Sequence, residues 1–289
     1  MIGRLCLIGV GLLGGSVARA ARERGLVRDI TGIDTDTSNL ETALELGVVD
    51  RVTTSIAEGI HDADWVVLAI PVGAIPAVLA QLKPLWNEQA IYTDVGSTKN
   101  DLIAALATVF GQIPPNFVPG HPIAGAEQSG VKAARADLFT GKRVILTPTA
   151  ATSTTSLTAV TAFWQGVGAD VAVMEPWRHD QILAATSHLP HVLAFVLTEL
   201  LGQKDEQAAI FRFAAGGFRD FSRIASSDPR MWQDICLANR EQIVPLIEEY
   251  RAALASARDL IASQSADELY ALFERARTAR QRFLNQSQQ

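Results

Sequence analysis

The chain of 289 residues is poor in cysteine, in positive charge and in long uncharged apolar runs. Cysteine occurs twice, at Cys6 and Cys236, each inside an apolar segment. Two distant thiols make neither a disulfide framework nor a zinc site, and they read as core residues in a reducing cytoplasm. Lys and Arg number 25 against 31 Asp and Glu, a formal net charge of −6. An acidic chain lacks the basic face that phosphate backbones need, which argues against nucleic acid as a partner. No apolar run is long and charge-free enough to predict a membrane span. Residues 180–202 come nearest, but they carry His188, Pro190, His191 and Glu199. Arg4, an apolar stretch and Ala18-Arg19-Ala20 give the N-terminus a superficial likeness to a secretory signal. The same residues fit a strand, a turn and a helix better. There is no internal repeat, and the Thr/Ala/Ser-rich stretch 147–155 reads as a surface loop.

What is present is a nucleotide-binding pattern. A short β-branched run, residues 2–10, leads into Gly9-Val10-Gly11-Leu12-Leu13-Gly14, and helical apolar spacing follows. In such a GxGxxG turn the first glycine permits the bend. The second lets a pyrophosphate approach the backbone, and the third lets helix and strand pack closely. The helix N-terminus adds free N–H groups for the phosphates. A second strand ends in Asp34, about twenty residues on, where the fingerprint places its acidic residue. That carboxylate suits ribose hydroxyls and repels a 2′-phosphate. Asp36 adds charge, and no Arg or Lys follows Asp34 before Arg51. The expected cofactor is therefore NAD, not NADP.

The strand pattern continues. Residues 64–70 (DWVVLAI) form a buried strand whose end, Ile70-Pro71, can border the adenosine half of the cofactor. Residues 90–95 form the next strand. Ser97 follows at its carboxyl end, the edge where open α/β sheets hold ligands, and it also reads as a helix N-cap. Residues 117–120 deliver His121 into the Gly-rich stretch 118–130 (VPGHPIAGAEQSG). Strands are expected over 142–147 and 170–174, and almost everything later reads as helix. The expected architecture is α/β, a Rossmann-type dinucleotide-binding domain over 1–174 followed by an all-helical domain over 175–289. The helical half has little polar surface for its apolar content, which predicts a homodimer. His188 and His191 share an i, i+3 helix face, but no further ligand pairs with them, so no metal site is expected.

These residues resemble a known family. The chain is similar to the prephenate/arogenate (cyclohexadienyl) dehydrogenases of tyrosine biosynthesis over nearly its whole length. The resemblance rests on GVGLLGGS (9–16), DVGSTK (94–99), HPIAGAEQSG (121–130), TSHLPH (186–191) and GGFRDFSRIASSDPRMW (216–232). It implies that NAD⁺ takes a hydride from C4 of a cyclohexadienyl ring while the ring carboxylate leaves as CO₂. Prephenate would give 4-hydroxyphenylpyruvate; arogenate would give tyrosine directly. The resemblance makes His121 the base for the C4 hydroxyl. It places Ser97 near that hydroxyl and the nicotinamide, and Arg223 on a substrate carboxylate. His191 and His188 become pocket residues, and Trp232 a pocket wall or a core residue. Glu127 and Asp220 become acidic positions near the entrance, and Gly216 opens the Gly-Gly break. Ala126 departs from the Thr of some relatives. His61 and His179 lie outside every motif and read as surface residues.

Two other functions fit parts of the pattern. A 3-hydroxyacid-type dehydrogenase would place a catalytic lysine early in the helical half, and residues 175–201 contain none. An NAD-sensing regulator would show a degraded catalytic loop, yet His121, Ser97 and Arg223 are all present. Tyrosine, a product-like ligand, could inhibit in the same pocket without a regulatory domain.

Overall fold

The computed structural model describes residues 1–126, 128–204 and 209–286. Strand β1 (Ile2–Ile8) is central, flanked by β2 (Val27–Ile33) on one side and β4 (Trp65–Leu68) on the other. With β3 (Arg51–Thr53), β5 (Ile91–Asp94) and β6 (Phe117–Val118) they form one parallel sheet in the order β3-β2-β1-β4-β5-β6. Strand β3 is a short edge strand that the sequence pattern does not single out. Both faces of the sheet are covered, which is why its strands read as unbroken apolar runs. Leu5, Leu7, Trp65 and Val67 pack on one side with Val17 and Ala21 of α1 (Leu12–Glu23). Cys6, Ile8, Val66 and Leu68 pack on the other with Leu79 and Leu102. The period-2 alternation of a strand sends neighbours to opposite cores.

Helix α2 (Thr37–Glu45) follows β2, and the single turn α3 (Ile56–Gly59) precedes β4. Helix α4 (Ile75–Leu82) joins β4 to β5, and α5 (Asn100–Phe110) joins β5 to β6. After β6 the chain leaves the first sheet at Pro119. It enters β7 (Gly120–Pro122), which pairs antiparallel with β8 (Arg143–Leu146); β8 in turn pairs parallel with β9 (Asp170–Val173). Helix α6 (Thr154–Gly166), capped by Ser153, lies between β8 and β9. His121 therefore sits where one sheet hands the chain to the other.

Two compact units emerge, Met1–Arg240 and Glu241–Gln289. The division differs from the 1–174 and 175–289 partition drawn from the strand pattern. The reason is packing: Trp232 and Ile235 belong to the same apolar cluster as Val66 and Leu68 of β4. Helices α7 (Pro176–Leu183), α8 (Leu189–Lys204), α9 (Ala209–Arg212), α10 (Gly216–Ser222) and α11 (Pro229–Ala238) thus join the sheet unit. Between α7 and α8, residues Ala184–His188 form a π-helical turn, so the helix changes winding just before Pro190. The second unit consists of α12 (Arg240–Ala262), from Glu241 onward, and α13 (Ala266–Gln286).

The sequence predicts no membrane-crossing run, yet the continuous helix Pro176–Lys204 is long and apolar enough to cross one by length and composition. Polar groups near its start, His179, Asp180 and His188, are buried against protein. Much of the rest of the helix, including Val196 and Leu200, is exposed.

The end of β5 carries a buried ion pair. Asp94 and Lys99 are fully buried and bonded to each other, and Lys99 Nζ also donates to the Gly120 carbonyl at 2.7 Å. Asp94 accepts from the Gly96 and Gly120 amides at 2.7 and 3.0 Å. Gly120 is a tight fit: a Cβ there would lie 3.0 Å from the Asp94 carbonyl oxygen. This cluster fixes the backbone just before His121. Removing one partner of a buried pair typically costs about 3–5 kcal/mol, because the other charge stays buried. Lys99→Met should therefore lower Tm by on the order of 10 °C in a thermal melt. Adding Asp94→Asn should recover part of that loss. A Lys99→Met protein that melts with the wild type would remove the ion pair from the account.

Candidate active site

The Gly-rich turn has the shape its motif predicts. Gly9 adopts φ +95°, and a Cβ on it would lie 2.3 Å from the Ala69 carbonyl oxygen. A Cβ on Gly14 would lie 2.1 Å from the Gly9 carbonyl oxygen, so helix and turn touch backbone to backbone. A Cβ on Gly11 meets nothing within 4 Å. That open side is where a pyrophosphate can approach. Helix α1 begins there with no side-chain cap and no acidic residue in its first turn, which leaves its N–H groups available for an anion. Leu12 and Leu13 are half-buried against the core. Ile70 and Pro71 follow β4 at the same edge. The cradle fits a dinucleotide.

Asp34 follows β2. One carboxylate oxygen accepts from the Val10 amide at 2.9 Å and the other from the Asp36 amide at 3.2 Å. The acidic residue thus also holds the Gly-rich turn. Asn39, which no motif flags, assists it. Its Nδ2 donates to the Val10 carbonyl at 3.0 Å, and its Oδ1 accepts from the Val131 amide at 3.1 Å. Asp36 itself caps α2, its side chain accepting from the Asn39 amide.

Ser97 lies half-buried between β5 and α5. It is not the helix cap expected of it. Helix α5 starts at Asn100, and its first amides are bound by a carboxylate from another helix. Asp180 of α7 accepts from Lys99 N and Asn100 N, each at 2.9 Å. A carboxylate at a helix N-terminus is favoured by the helix dipole and by the charged hydrogen bonds.

Asp180 also contacts the Nδ1 of His179 at 2.8 Å, and the Nε2 of His179 lies 2.8 Å from the Nδ1 of His121. The surface reading of His179 is therefore wrong: its side chain is 0% exposed. A lone His on a helix start carries no motif, and only the fold shows that α7 lies against the β5–α5 junction. His61 is exposed, beside Asp62.

Burial pushes the His121 imidazole well below its usual range, and the neighbouring His179, Lys99 and His188 reinforce this. Burial also lowers His179, although Asp180 opposes it. For Asp180, burial works upward, but the hydrogen bonds from His179, Asn100 and Lys99 outweigh it and leave the carboxyl below the ordinary value. At neutral pH the cluster is an ionised Asp180 with two neutral imidazoles. A neutral His121 can take a proton.

A second group of side chains continues from the same helix. Asn239 Nδ2 donates to the Asp180 carbonyl at 2.9 Å and lies 3.0 Å from His188 Nδ1. His188 is 1% exposed, and burial lowers it to about 4. It meets the Trp232 ring edge-on, whereas His191 stacks on Trp232 at 3.7 Å. Burial lowers His191 as well, and the Arg223 charge adds to that effect, which places Arg223 within electrostatic reach. His191 Nδ1 donates to the Ser187 carbonyl at 2.9 Å. Asp220 is exposed on α10, and Gly216 opens that helix with space around it. Glu127 lies outside the described residues.

Comparison with known proteins gives the family. Residues 17–173 match the family described as prephenate dehydrogenase, nucleotide-binding domain, and residues 175–275 match prephenate dehydrogenase, dimerization domain. The chain belongs to the prephenate dehydrogenase family. A cyclohexadienyl dehydrogenase of Zymomonas mobilis is 37% identical over 281 residues, covering 96% of this chain and 94% of that protein. A prephenate dehydrogenase of Bacillus subtilis is 35% identical over 281 residues, covering 96% and 75%. Among solved structures, the prephenate dehydrogenase of Aquifex aeolicus in complex with hydroxyphenyl propionate and NAD⁺ superposes with a TM-score of 0.91. It is 37% identical and covers 98% of this chain and 99% of that one.

The depressed histidines give this family member a testable acid sensitivity. The unfolded chain takes up these protons near pH 6.5, while the folded chain resists them. Stability is thus complete above about pH 6.5 and is lost as pH falls, the His188 share continuing to about 4. Scanning calorimetry at constant ionic strength should show Tm falling steadily below about pH 6.5. A Tm that is flat down to about pH 5 would mean that these imidazoles are not held neutral.

Proposed function

We propose that this protein is a cytoplasmic, homodimeric, NAD-dependent prephenate dehydrogenase that converts prephenate to 4-hydroxyphenylpyruvate in tyrosine biosynthesis. The observation that carries the proposal is His121: a buried, neutral imidazole whose Nδ1 is engaged, on β7 beside the edge that carries the Gly-rich turn. The family description of residues 175–275 supports the homodimer. So do the exposed Tyr270 and Phe273 of the second unit, apolar surface that a partner would cover.

NAD⁺, when bound, supplies the hydride acceptor. The turn 9–14 and the α1 N-terminus hold its pyrophosphate, and Asp34 holds its adenosine ribose. His121 Nε2 receives the proton of the C4 hydroxyl as the C4–H bond breaks with its electron pair. The bond from C1 to the carboxylate then breaks, CO₂ leaves, and the bond's electrons complete the aromatic ring as the C4 oxygen takes the proton back from His121. General-base assistance of this kind is typically worth about 10²–10⁴-fold. Ser97 hydrogen-bonds the same hydroxyl. Arg223 binds a substrate carboxylate, and His191, His188 and Trp232 line the ring pocket. Asp220 stands at the entrance with Gly216.

Arogenate is the second substrate to test, because the Zymomonas mobilis relative is a cyclohexadienyl dehydrogenase and the chain is 27% identical to a solved Synechocystis arogenate dehydrogenase. Tyrosine shares the ring hydroxyl and carboxylate with the product, so it would compete in the same pocket.

Purified protein with NAD⁺ should generate NADH absorbance with prephenate, and His121→Ala should lose about 10²–10⁴-fold in kcat while binding NAD⁺ normally. Silence with both prephenate and arogenate would sink the proposal; an unchanged kcat would remove His121 from the chemistry. Arg223→Ala should raise KM by about 10–100-fold, the loss of one charged hydrogen bond worth about 1.5–3 kcal/mol. A wild-type KM would assign the carboxylate to another cation.

A further inference from the structure

The contacts around His121 define more than its position. Asp180 is 1% exposed, and its carboxylate can only accept hydrogen bonds. It accepts from Lys99 N, Asn100 N and the neighbouring ring nitrogen of His179. The proton between Asp180 and His179 must therefore sit on His179 Nδ1. A neutral imidazole has one N–H, so His179 Nε2 is bare. That bare nitrogen lies 2.8 Å from His121 Nδ1. Two lone pairs do not face each other at that distance, so His121 Nδ1 carries a proton. The remaining nitrogen of His121, Nε2, is then unprotonated. The reverse order would set a bare His179 Nδ1 against an anionic oxygen, which is repulsive.

We propose that His179 and Asp180 are positioning residues that hold His121 as its Nδ1–H tautomer, leaving Nε2 free to accept the substrate proton. An exposed neutral histidine prefers the opposite tautomer, with the proton on Nε2, which cannot accept. The chain Asp180–His179–His121 reverses that preference inside the protein. It follows the general rule that the partner of one ring nitrogen determines the state of the other. Burial keeps His179 neutral, as the chain requires. The same carboxylate holds the start of α5, so the tautomer is tied to the loop that carries Ser97. Asn239 extends the logic one step. Its Nδ2 donates to the Asp180 carbonyl and faces His188 Nδ1, which makes that nitrogen an acceptor and puts the His188 proton on Nε2.

The assignment rests on His121 being the base, but its first readout does not. The chain has five histidines, few enough for nitrogen NMR of the full-length protein labelled only in histidine, each signal assigned by loss in a single variant. Near neutral pH with NAD⁺, His121 should show a protonated Nδ1 and a bare Nε2. His179→Leu removes the acceptor. It should shift His121 toward the Nε2–H form and lower kcat by about 10–100-fold, part of the general-base contribution, with NAD⁺ affinity unchanged. His179→Gln places an amide oxygen where Nε2 stood, so it should retain the His121 tautomer and recover most of kcat. A wild-type His121 protonated on Nε2 overturns the proposal. So does a His179→Leu protein with wild-type kcat, or a His179→Gln protein as slow as the leucine variant. If the leucine variant does not fold, the wild-type and glutamine spectra still decide. An Nδ1–H His121 whose replacement by Ala leaves kcat intact would support the tautomer and sink the base.

Discussion

One buried carboxylate joins the parts of this protein that do chemistry. Asp180 binds the first amides of α5 at the edge of the parallel sheet and the imidazole of His179 within its own helix. A buried charge is costly unless its lone pairs are filled, and here three donors fill them. The consequence is geometric. Helix α7 cannot drift from the β5–α5 junction without stranding an ionised group, so the helical segment and the sheet form one unit. With the packing of Trp232 and Ile235 against β4, it keeps the helices before Arg240 with the sheet. The Asp94–Lys99 pair performs the matching task from the sheet side, because it grips Gly120 just before His121. Two buried electrostatic clusters therefore hold the segment that carries His121.

The cofactor side depends on steric exclusion more than on charge. Gly9 and Gly14 are surrounded by backbone, whereas Gly11 faces open space. The turn is held from below by Asp34 and Asn39, which share its Val10 amide and carbonyl. In this fold the acidic fingerprint residue supports the loop itself. Replacing it would disturb that loop, so a change in cofactor preference alone does not measure a ribose contact.

Much of this was legible in the residues. The Gly-rich turn between a strand and a helix, and the alternation of two-sided apolar strands, are local patterns whose physics is short-range. They identify the parallel sheet and the cofactor edge. The motifs around His121 and Arg223 led to the family. What was not legible arises from contacts distant in sequence. His179 is 58 residues from His121, and Asp180 is 81 from Lys99. No spacing rule connects them, so His179 looked like a surface residue and Ser97 like a helix cap. The short edge strand β3 was missed because three residues carry too little periodicity to register. The π-turn before Pro190 leaves no mark in the apolar pattern, since winding is decided by packing.

The central claim is that His121 presents a bare Nε2 to the hydroxyl of a cyclohexadienyl ring while His179 holds its other nitrogen. A crystal structure of this chain with NAD⁺ and 4-hydroxyphenylpropionate tests it most directly, because that ligand keeps the ring hydroxyl and a carboxylate without reacting. The account predicts the ring hydroxyl within about 2.6–3.2 Å of His121 Nε2, with Nδ1 still on His179 and the carboxylate on Arg223. A hydroxyl bound elsewhere, or a His121 ring turned away from His179, would contradict it.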